Sequence, residues 1–432
     1  MKVLVTGGYG FIGASVCARL LEAGHDVVGA GRQLSWAKRR FAAWDWVHCD
    51  FNTDQDPEDW KSRLVGIDAV VNCVGVLQDG GADSTEKAHV SGLQSLITAC
   101  ERAGIKRFVH ISAIGADPAA GTAYARTKAR GAASLKQSNL DWVILEPSLV
   151  LGRKVYGGSA LIRTLAAMPG FVPMVYGDTK FQPVMMDDLT HIIVLFLRDA
   201  VPTKIQVEIA GPDQLSLREI LAQTRIWLGF GPARFVEFPP WMAAPLFVLG
   251  DFLGKLGIRD ALRSTAKAQM QFDVGGDPNQ IKQQLDYTTG SMADWFAAHP
   301  ANAADRLQAR LGWAKPASRV ILALYWMLSG LIPLLFSQQW SFEIMTKAGL
   351  PEMTHWPVWF LGAIADLMLG ALLLFGISVR KVCLAMVLLT IGYVSVISMV
   401  LPELWFDPLA SVLKVFPMIA LAGLVAAMEG DR

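Results

Sequence analysis

The amino-terminal part of the chain alternates short runs of β-branched residues with stretches that have the apolar spacing of helices. The predicted strands are 3–5, 27–28, 68–74 and 107–112, with helices between them. Strands that alternate with helices form a parallel sheet covered on both faces. The pattern therefore predicts an α/β fold with a doubly wound parallel sheet, followed by a smaller substrate-side region over residues 152–313.

The last quarter of the chain has a different pattern, with four apolar windows separated by short polar segments. The windows are 320–340, 357–377, 382–401 and 409–428. A helix needs about 20 apolar residues to cross a bilayer. We therefore predict that residues 317–432 form an all-α bundle of four transmembrane spans, and that residues 1–313 form a separate domain.

Basic residues in the short loops predict the orientation of this bundle. Arg319 precedes the first window and Arg380 and Lys381 lie between the second and third, whereas Lys347 lies on the opposite side. Short loops rich in Lys and Arg remain in the cytoplasm. No signal peptide is expected, because Met1 leads directly into the first predicted strand. The sequence thus predicts a multi-pass protein of the inner membrane, with both termini and residues 1–313 in the cytoplasm.

Composition agrees with this division. Charged residues make up only 18% of the 432 residues, and the last 116 residues contain just 13 of them. The formal net charge of +1 provides no positive surplus to hold a polyanion, so a nucleic acid is not expected as a partner. The five cysteines lack the spacing of a metal site, and we expect buried free thiols and no metal.

A glycine-rich turn follows the first predicted strand. It reads Thr6-Gly7-Gly8-Tyr9-Gly10-Phe11-Ile12-Gly13 and leads into a predicted helix. Glycines are needed where the chain turns tightly and where backbone touches a pyrophosphate, and the start of the helix supplies N–H donors. The turn predicts a dinucleotide site of the Rossmann type.

The end of the second strand bears on the choice between NAD and NADP. NAD sites place an acidic residue there to bind the ribose 2′-hydroxyl, but this chain has Gly29-Ala30-Gly31-Arg32. A guanidinium at this position suits a 2′-phosphate, so NADP(H) is favoured over NAD(H) and Arg32 is predicted to bind it. The basic residues 38–40 fit the same role or a solvated helix face.

Three further residues form a catalytic pattern. Tyr124 and Lys128 are spaced to share one helix face, and Ser112 ends the preceding predicted strand. An ammonium beside a phenol is expected to lower the phenol pKa toward a range useful for acid–base chemistry. Ser112 has two interpretations: its hydroxyl steadies a carbonyl oxygen of the substrate, or it bonds to local backbone.

With these motifs in place, residues 1–313 resemble the extended and atypical short-chain dehydrogenase/reductases. The resemblance is greatest to the branch related to the nucleotide-binding accessory subunit of respiratory complex I. The stretches that carry it are 6–13, 71–75, 106–117, 124–128, 147–152, 183–189 and 209–212.

This resemblance implies a role for each site residue. The residues that would line the pyrophosphate are Gly7, Gly10, Phe11, Ile12 and Gly13. Asp50 would reach the adenine and Gly75 would pass beneath a ribose. Lys128 would bind the nicotinamide ribose, and Tyr124 would be the acid–base residue. Pro147 and Ser148 would flank the nicotinamide.

The last 115 or so residues resemble the DoxX-like membrane family. The resemblance rests on the four-window pattern, the pair Ser329-Gly330 and the run 362–370. Asp366 lies near the middle of the second window, where a carboxylate is costly and by default marks function. Lys414 is its predicted partner by depth, although a lysine there also fits as a side chain that extends outward.

The sequence is compatible with two functions. The first is a membrane-anchored, NADP(H)-dependent oxidoreductase or epimerase that acts on an amphipathic small molecule of lipid, isoprenoid or quinone type and contacts membrane lipids. The second is a non-catalytic scaffold or assembly protein that binds a nucleotide and a membrane-protein partner. The intact Tyr124 and Lys128 pair favours the enzyme.

Overall fold

A computed structural model describes residues 1–80, 83–245, 272–408 and 410–430. The chain divides into two compact units, Met1–Ala309 and Arg310–Arg432. The sequence placed this division at residues 313–317.

Seven parallel strands form the central sheet of the first unit. They are β1 (Lys2–Thr6), β2 (Asp26–Gly31), β3 (Asp45–His48), β4 (Ala69–Asn72), β5 (Arg107–Ile111), β6 (Asp141–Pro147) and β11 (Ile205–Ile209). Their order is β11-β6-β5-β4-β1-β2-β3, and every neighbouring pair is parallel. The predicted doubly wound sheet is confirmed.

Helices and short strands complete this unit. The helices are α1 (Phe11–Glu22), α2 (Leu34–Arg40), α3 (Gly92–Arg102), α4 (Ala123–Lys136), α5 (Gly158–Ala166), α6 (Met186–Phe196), α7 (Leu217–Trp227), α8 (Asn279–Leu285) and α9 (Met292–Ala298), with a 3₁₀ turn at Pro57–Arg63 and a π turn at Lys87–Ser91. The short strands are β7 (Val150–Leu151), β8 (Phe171–Met174), β9 (Lys180–Phe181), β10 (Val184–Met185), β12 (Leu215–Ser216) and β13 (Arg234–Glu237). They pair as β7 with β10, β9 with β12 and β8 with β13.

The sheet is buried on both faces because successive side chains of a strand point to opposite sides. In β1, Val3 and Val5 pack in one apolar cluster with Leu20 of α1. Leu4 packs in a second cluster with Leu93 of α3. The three central residues of β1, Val3, Leu4 and Val5, are therefore apolar, and the glycine-rich turn follows its carboxyl end.

The second unit contains three helices that are long and apolar enough to cross a membrane, counted over the residues that the structure describes. Its helices are α10 (Ala303–Leu335, which begins in the first unit), α11 (Gln338–Lys347), α12 (Glu352–Leu374), α13 (Val379–Val400) and α14 (Val415–Ala427). A 3₁₀ turn at Pro402–Trp405 precedes α14.

The helices differ from the predicted windows at both ends of this unit. The first window, 320–340, lies partly in α10, which ends at Leu335 before α11 begins. The fourth window, 409–428, contains a helix of only 13 residues. At a rise of 1.5 Å per residue this helix is about 20 Å long, less than the hydrocarbon thickness of about 30 Å. The first residue of that window lies outside the described part of the chain.

Two glycines allow α10 and α12 to approach closely. An added Cβ at Gly330 would lie 2.5 Å from the carbonyl oxygen of Ala363, and one at Gly370 would lie 2.8 Å from that of Ala323. Small residues at such contacts are typical of membrane helix pairs. The motif positions 330 and 370 thus fix the distance between the two helices, and Asp366 lies in the same segment of α12.

Candidate active site

The glycine-rich turn connects β1 to α1 and cannot accept larger residues at two positions. Gly7 has a φ of +68°, in the left-handed region that favours glycine. A Cβ added at Gly13 would lie 2.2 Å from the carbonyl oxygen of Gly7. The turn is therefore as tight as the sequence predicts.

The same turn presents the amino terminus of α1. The N–H of Gly10 donates to the Gly7 carbonyl at 2.8 Å, and Gly10 is the residue that precedes the helix. Phe11 and Ile12 are the first residues of α1, where backbone N–H groups have no acceptor within a helix. These donors fit an anionic group such as a pyrophosphate.

Arg32, predicted to bind a 2′-phosphate, directly follows β2. Its guanidinium pairs with Asp83, with 2.8 Å between Nη1 and Oδ1. The Tyr9 hydroxyl accepts a hydrogen bond from the Arg32 backbone N–H at 3.0 Å. A Cβ added at Gly31 would lie 2.3 Å from the Tyr9 ring. The glycine-rich turn and the end of β2 are thus joined by Tyr9.

Asp50 lies two residues beyond the end of β3. Its Oδ1 accepts from the backbone N–H of Asn52 at 3.0 Å and from the Asn52 side-chain amide at 2.9 Å. Its own N–H donates to Asp54, which pairs with Arg63. The carboxylate is thereby oriented by its own loop.

Lys128 is 3% exposed and bridges the ends of two strands. Its Nζ donates to the carbonyl oxygen of Ile111, at the end of β5, at 2.7 Å, and to that of Val74, beyond β4, at 3.4 Å. Burial lowers the Lys128 pKa to about 8. A Cβ added at Gly75 would lie 3.6 Å from Nζ, in van der Waals contact, so the Gly75 backbone lies next to the ammonium.

Tyr124 is partly buried on the first turn of α4. Burial raises its pKa to about 12, which is opposite in direction to the lowering expected from Lys128. The Lys128 ammonium donates instead to the backbone carbonyl oxygens of Ile111 and Val74. Desolvation of the phenol sets the direction of the Tyr124 pKa. Tyr124 is therefore a protonated phenol at neutral pH, suited to donate a proton.

Ser112 directly follows Ile111 and is 3% exposed. Its N–H donates to Leu145 at 2.7 Å, which fixes the backbone. Within the described ranges its Oγ has no hydrogen-bond partner, so it does not bond to local backbone. Leaving a buried hydroxyl unpaired costs about 1–3 kcal/mol, and an incoming oxygen atom would recover that cost.

Pro147 ends β6 and Ser148 follows it. Both are buried. The Ser148 hydroxyl donates to the carbonyl oxygen of Val274 at 3.3 Å, and its N–H donates to Ile209 at 2.9 Å. The pair lies beyond the carboxyl end of β6, next to β5, where ligands bind in open α/β sheets.

His89 supports α4, the helix that carries Tyr124 and Lys128. Its Nε2 accepts from the Val76 N–H at 2.9 Å, so its hydrogen is assigned to Nδ1, which lies 2.8 Å from Thr127 Oγ1. Its ring also meets the Tyr124 ring edge-on, with centroids 5.7 Å apart. Burial, aided by the charge of Lys128, lowers its pKa to about 2, so the ring is neutral.

The arrangement brings the predicted residues to one edge of the sheet, at the carboxyl ends of β1, β4, β5 and β6. No cluster of three metal-binding side chains occurs in the ranges that the structure describes. The glycine turn, the Gly75 backbone beside Lys128 and the Ser112 hydroxyl, unpaired among the described residues, fit a dinucleotide and a polar substrate.

Two family models match this chain. Residues 7–161 match an NAD(P)H-binding family, and residues 323–423 match the DoxX-like family. The DoxX-like match and the three apolar helices indicate association with a membrane.

Curated relatives match parts of this chain. An uncharacterized protein of Mycobacterium tuberculosis is 29% identical over 224 residues, which cover 51% of this chain and 23% of that protein. A 2-alkyl-3-oxoalkanoate reductase of Stenotrophomonas maltophilia is 34% identical over 113 residues, covering 26% of this chain and 33% of the reductase. The mitochondrial NADH dehydrogenase (ubiquinone) 1 alpha subcomplex subunit 9 of Arabidopsis thaliana is 25% identical over 259 residues, covering 58% and 63%. The chain thus spans less than a quarter of the mycobacterial relative.

Solved structures share the fold. A UDP-glucuronic acid 4-epimerase from Bacillus cereus, in complex with UDP-glucuronic acid and NAD, has a TM-score of 0.50 and 20% identity, covering 69% of this chain and 97% of its own. An NADPH-dependent quinone oxidoreductase from Escherichia coli has a TM-score of 0.53 and 17% identity, covering 68% and 99%.

Proposed function

We propose that this chain, in which an NAD(P)-binding domain of the short-chain dehydrogenase/reductase type is joined to a DoxX-like domain, is a membrane-anchored NADP(H)-dependent oxidoreductase or epimerase. Its substrate is an amphipathic molecule of lipid, isoprenoid or quinone type that carries a carbonyl or hydroxyl group. The observation that carries the proposal is the buried Ser112 hydroxyl, unpaired among the described residues, beside the carbonyl that binds Lys128.

The three catalytic residues have separate tasks. A bound nicotinamide supplies or accepts hydride. Tyr124 donates its proton to the carbonyl oxygen of the substrate, in keeping with a phenol that burial keeps protonated. The Ser112 hydroxyl donates a hydrogen bond to the same oxygen, and Lys128 binds ribose hydroxyls. Reduction of a carbonyl to an alcohol is the direction that a protonated Tyr124 favours.

Arg32 is the residue that supports NADP(H). The pair with Asp83 holds its guanidinium at the end of β2, where the ribose 2′ position lies in sites of this fold. A 2′-phosphate would share this guanidinium with the carboxylate, because an Arg fork has five N–H donors. Phe11, Ile12, Gly7, Gly10 and Gly13 would hold the pyrophosphate, as the tight turn allows.

An amphipathic substrate is supported by the joining of this domain to apolar helices and by one relative. The reductase of Stenotrophomonas maltophilia is named for a 3-oxo compound with an alkyl branch. Lipids of the membrane would supply or dissolve such a molecule. The carbonyl group of such a molecule suits the proton donor, and its apolar chain suits the association with a membrane.

Lys315 and Arg380 support a cytoplasmic orientation. Both contact Glu429, through an ion pair of 3.0 Å and a hydrogen bond of 2.8 Å to its carbonyl oxygen, so they lie at one end of the bundle. Basic residues gathered at one end mark the cytoplasmic side. We therefore place the protein in the inner membrane as a multi-pass chain, with the dinucleotide domain in the cytoplasm.

The scaffold function keeps one supporting observation. The relative from Arabidopsis is named as a subunit of NADH dehydrogenase. A scaffold would bind the nucleotide and a membrane-protein partner without turnover, and Lys128 would then serve binding alone.

The test uses the full-length chain in lipid nanodiscs with NADPH and a 2-alkyl-3-oxoalkanoate, with the alcohol product measured by mass spectrometry. Tyr124→Phe is expected to lower turnover by about 10²–10⁴-fold, whereas Tyr156→Phe, at a side chain that is 58% exposed, leaves it unchanged. Equal turnover by Tyr124→Phe and wild type contradicts the enzyme. Tight NADPH binding without product for this and for quinone and isoprenoid substrates favours the scaffold.

A further inference from the structure

The second unit, which includes the DoxX-like match, contains a cavity that has no part in the dinucleotide chemistry. Its volume is about 200 Å³, and it lies among α10, α12, α13 and the segment before α14. At about 30 Å³ per water molecule it has room for about six waters or one small organic molecule. The polar and aromatic residues on its wall include Tyr325, Trp326, Ser329, Asp366, Thr390 and Tyr393.

Asp366 is the charged group of this wall, and it is 6% exposed. Both partners described for its carboxylate are neutral hydroxyls: Ser329 Oγ lies 3.2 Å from Oδ2, and Tyr393 OH lies 3.3 Å from Oδ1. Hydrogen bonds from a hydroxyl to an ionised carboxylate are normally about 2.5–2.7 Å long. Both contacts are therefore long, and the carboxylate retains capacity to accept.

Ser329 is a weaker partner than its distance suggests. Its single hydroxyl hydrogen has two acceptors, the Asp366 carboxylate and the carbonyl oxygen of Trp326, and the carbonyl is nearer at 2.9 Å. When the hydrogen points to the carbonyl, Oδ2 receives no donor from Ser329. A donor in the cavity would satisfy that oxygen.

Lys414 does not fill this role. It is exposed, it immediately precedes α14, and among the described residues it forms no ion pair with Asp366. The predicted pairing is therefore wrong in this structure. A carboxylate in an apolar bundle without a cation is costly, and a ligand that brings a positive charge would lower that cost.

We infer that this cavity binds a small organic cation, an ammonium with an apolar body. The Asp366 carboxylate accepts from the ammonium, and the aromatic side chains of Tyr325, Trp326 and Tyr393 on the same wall are residue types that attract a positive charge. The apolar part of the ligand packs on Val394, Val412 and neighbouring aliphatic side chains. The cavity is formed by residues of the second unit, and its proposed ligand does not depend on the function proposed for the dinucleotide site.

The experiment titrates the full-length chain in nanodiscs of zwitterionic phosphatidylcholine with phenethylamine, and empty nanodiscs give the background. The amine is protonated at neutral pH, since its pKa is close to the value of about 10 for lysine. Phenethyl alcohol has nearly the same shape and no charge. Calorimetry should give saturable binding of one amine per chain and no competition by the alcohol.

The variants separate the site from general effects of charge. Asp366→Asn should weaken amine binding by on the order of tenfold or more. Glu352→Gln removes an exposed carboxylate of the same unit and should leave binding unchanged. Absence of saturable binding, equal binding of the alcohol, or unchanged binding by folded Asp366→Asn would overturn the proposal.

A second variant decides the matter if Asp366→Asn does not fold. Val412→Phe places a larger side chain on the cavity wall and leaves the Asp366 carboxylate in place. It should abolish binding of the amine, and retained binding by the folded variant contradicts the site. If neither variant folds, the comparison of amine with alcohol on the wild-type chain decides it.

Discussion

At the scale of a single residue, the burial of Lys128 should make cofactor binding depend on pH. Burial lowers its pKa to about 8, so it carries a charge below this pH and loses it above. We expect the dissociation constant of NADPH to rise on the order of tenfold as pH increases through 8, because a hydrogen bond from a charged donor contributes about 1.5–3 kcal/mol. Fluorescence titration of the full-length chain on both sides of this pH measures the change.

Lys128→Arg is the control for this pH dependence. An arginine stays protonated throughout the range, so its NADPH affinity should vary much less with pH, whatever its absolute value. An equal pH dependence in both proteins would assign the effect to another group.

Asp83 controls how much of the Arg32 charge is available. Removing its carboxylate with Asp83→Asn should tighten NADPH binding a few fold, in line with ~1 kcal/mol for a partly exposed pair, and leave NADH binding unchanged. Asp178→Asn, an exposed carboxylate elsewhere, serves as the control. If Asp83→Asn changes the affinities for NADPH and NADH equally, Arg32 does not bind the ribose 2′ position.

At the scale of elements, the glycine turn between β1 and α1 tests the dinucleotide site. Gly13→Ala would place a Cβ 2.2 Å from the Gly7 carbonyl oxygen, and the strain should cost about 1–3 kcal/mol and abolish NADPH binding. Gly121→Ala adds a Cβ in open space and should change neither. Thermal unfolding and NADPH titration measure both effects, and normal binding by Gly13→Ala contradicts the site.

His89 joins the loop after β4 to α4 through Val76 and Thr127. His89→Leu leaves the Val76 N–H without its acceptor and removes one hydrogen bond to Thr127, which keeps its bonds to α4 carbonyls, so it should lower the free energy of unfolding by about 1–3 kcal/mol. His48→Leu, at an exposed histidine, should have little effect. Equal thermal stability of His89→Leu and wild type would show that the two bonds contribute nothing.

Some of this site was predictable from sequence because it is local. The glycine turn, and the spacing of Tyr124 and Lys128 on one helix, follow from short-range geometry. His89 and Asp83 reach the site through contacts with residues far along the chain, which no periodicity reveals. The pairing of Asp366 with Lys414 was inferred from depth alone, and it failed because α14 begins only after Lys414.

At the scale of the whole molecule, the orientation of the apolar helices is open to direct test. Lys347→Cys and Lys381→Cys each place a thiol at an exposed position, on opposite predicted sides. A maleimide that does not cross membranes should label Lys347→Cys in cells whose outer barrier has been removed, and Lys381→Cys only after permeabilisation. The wild-type chain, whose five native cysteines are buried or partly buried, gives the background. The reverse labelling pattern contradicts the cytoplasmic placement.

The contact between Tyr9 and Gly31 restricts how cofactor preference can change. Introducing an acid at the end of β2 is the obvious route toward NAD, but at position 31 any side chain would meet the Tyr9 ring at 2.3 Å. That ring belongs to the turn that would hold the pyrophosphate. Gly31→Asp would therefore disturb both halves of the site at once unless Tyr9 became smaller in the same step. A side chain introduced at position 31 to alter cofactor preference would therefore also reach the glycine-rich turn.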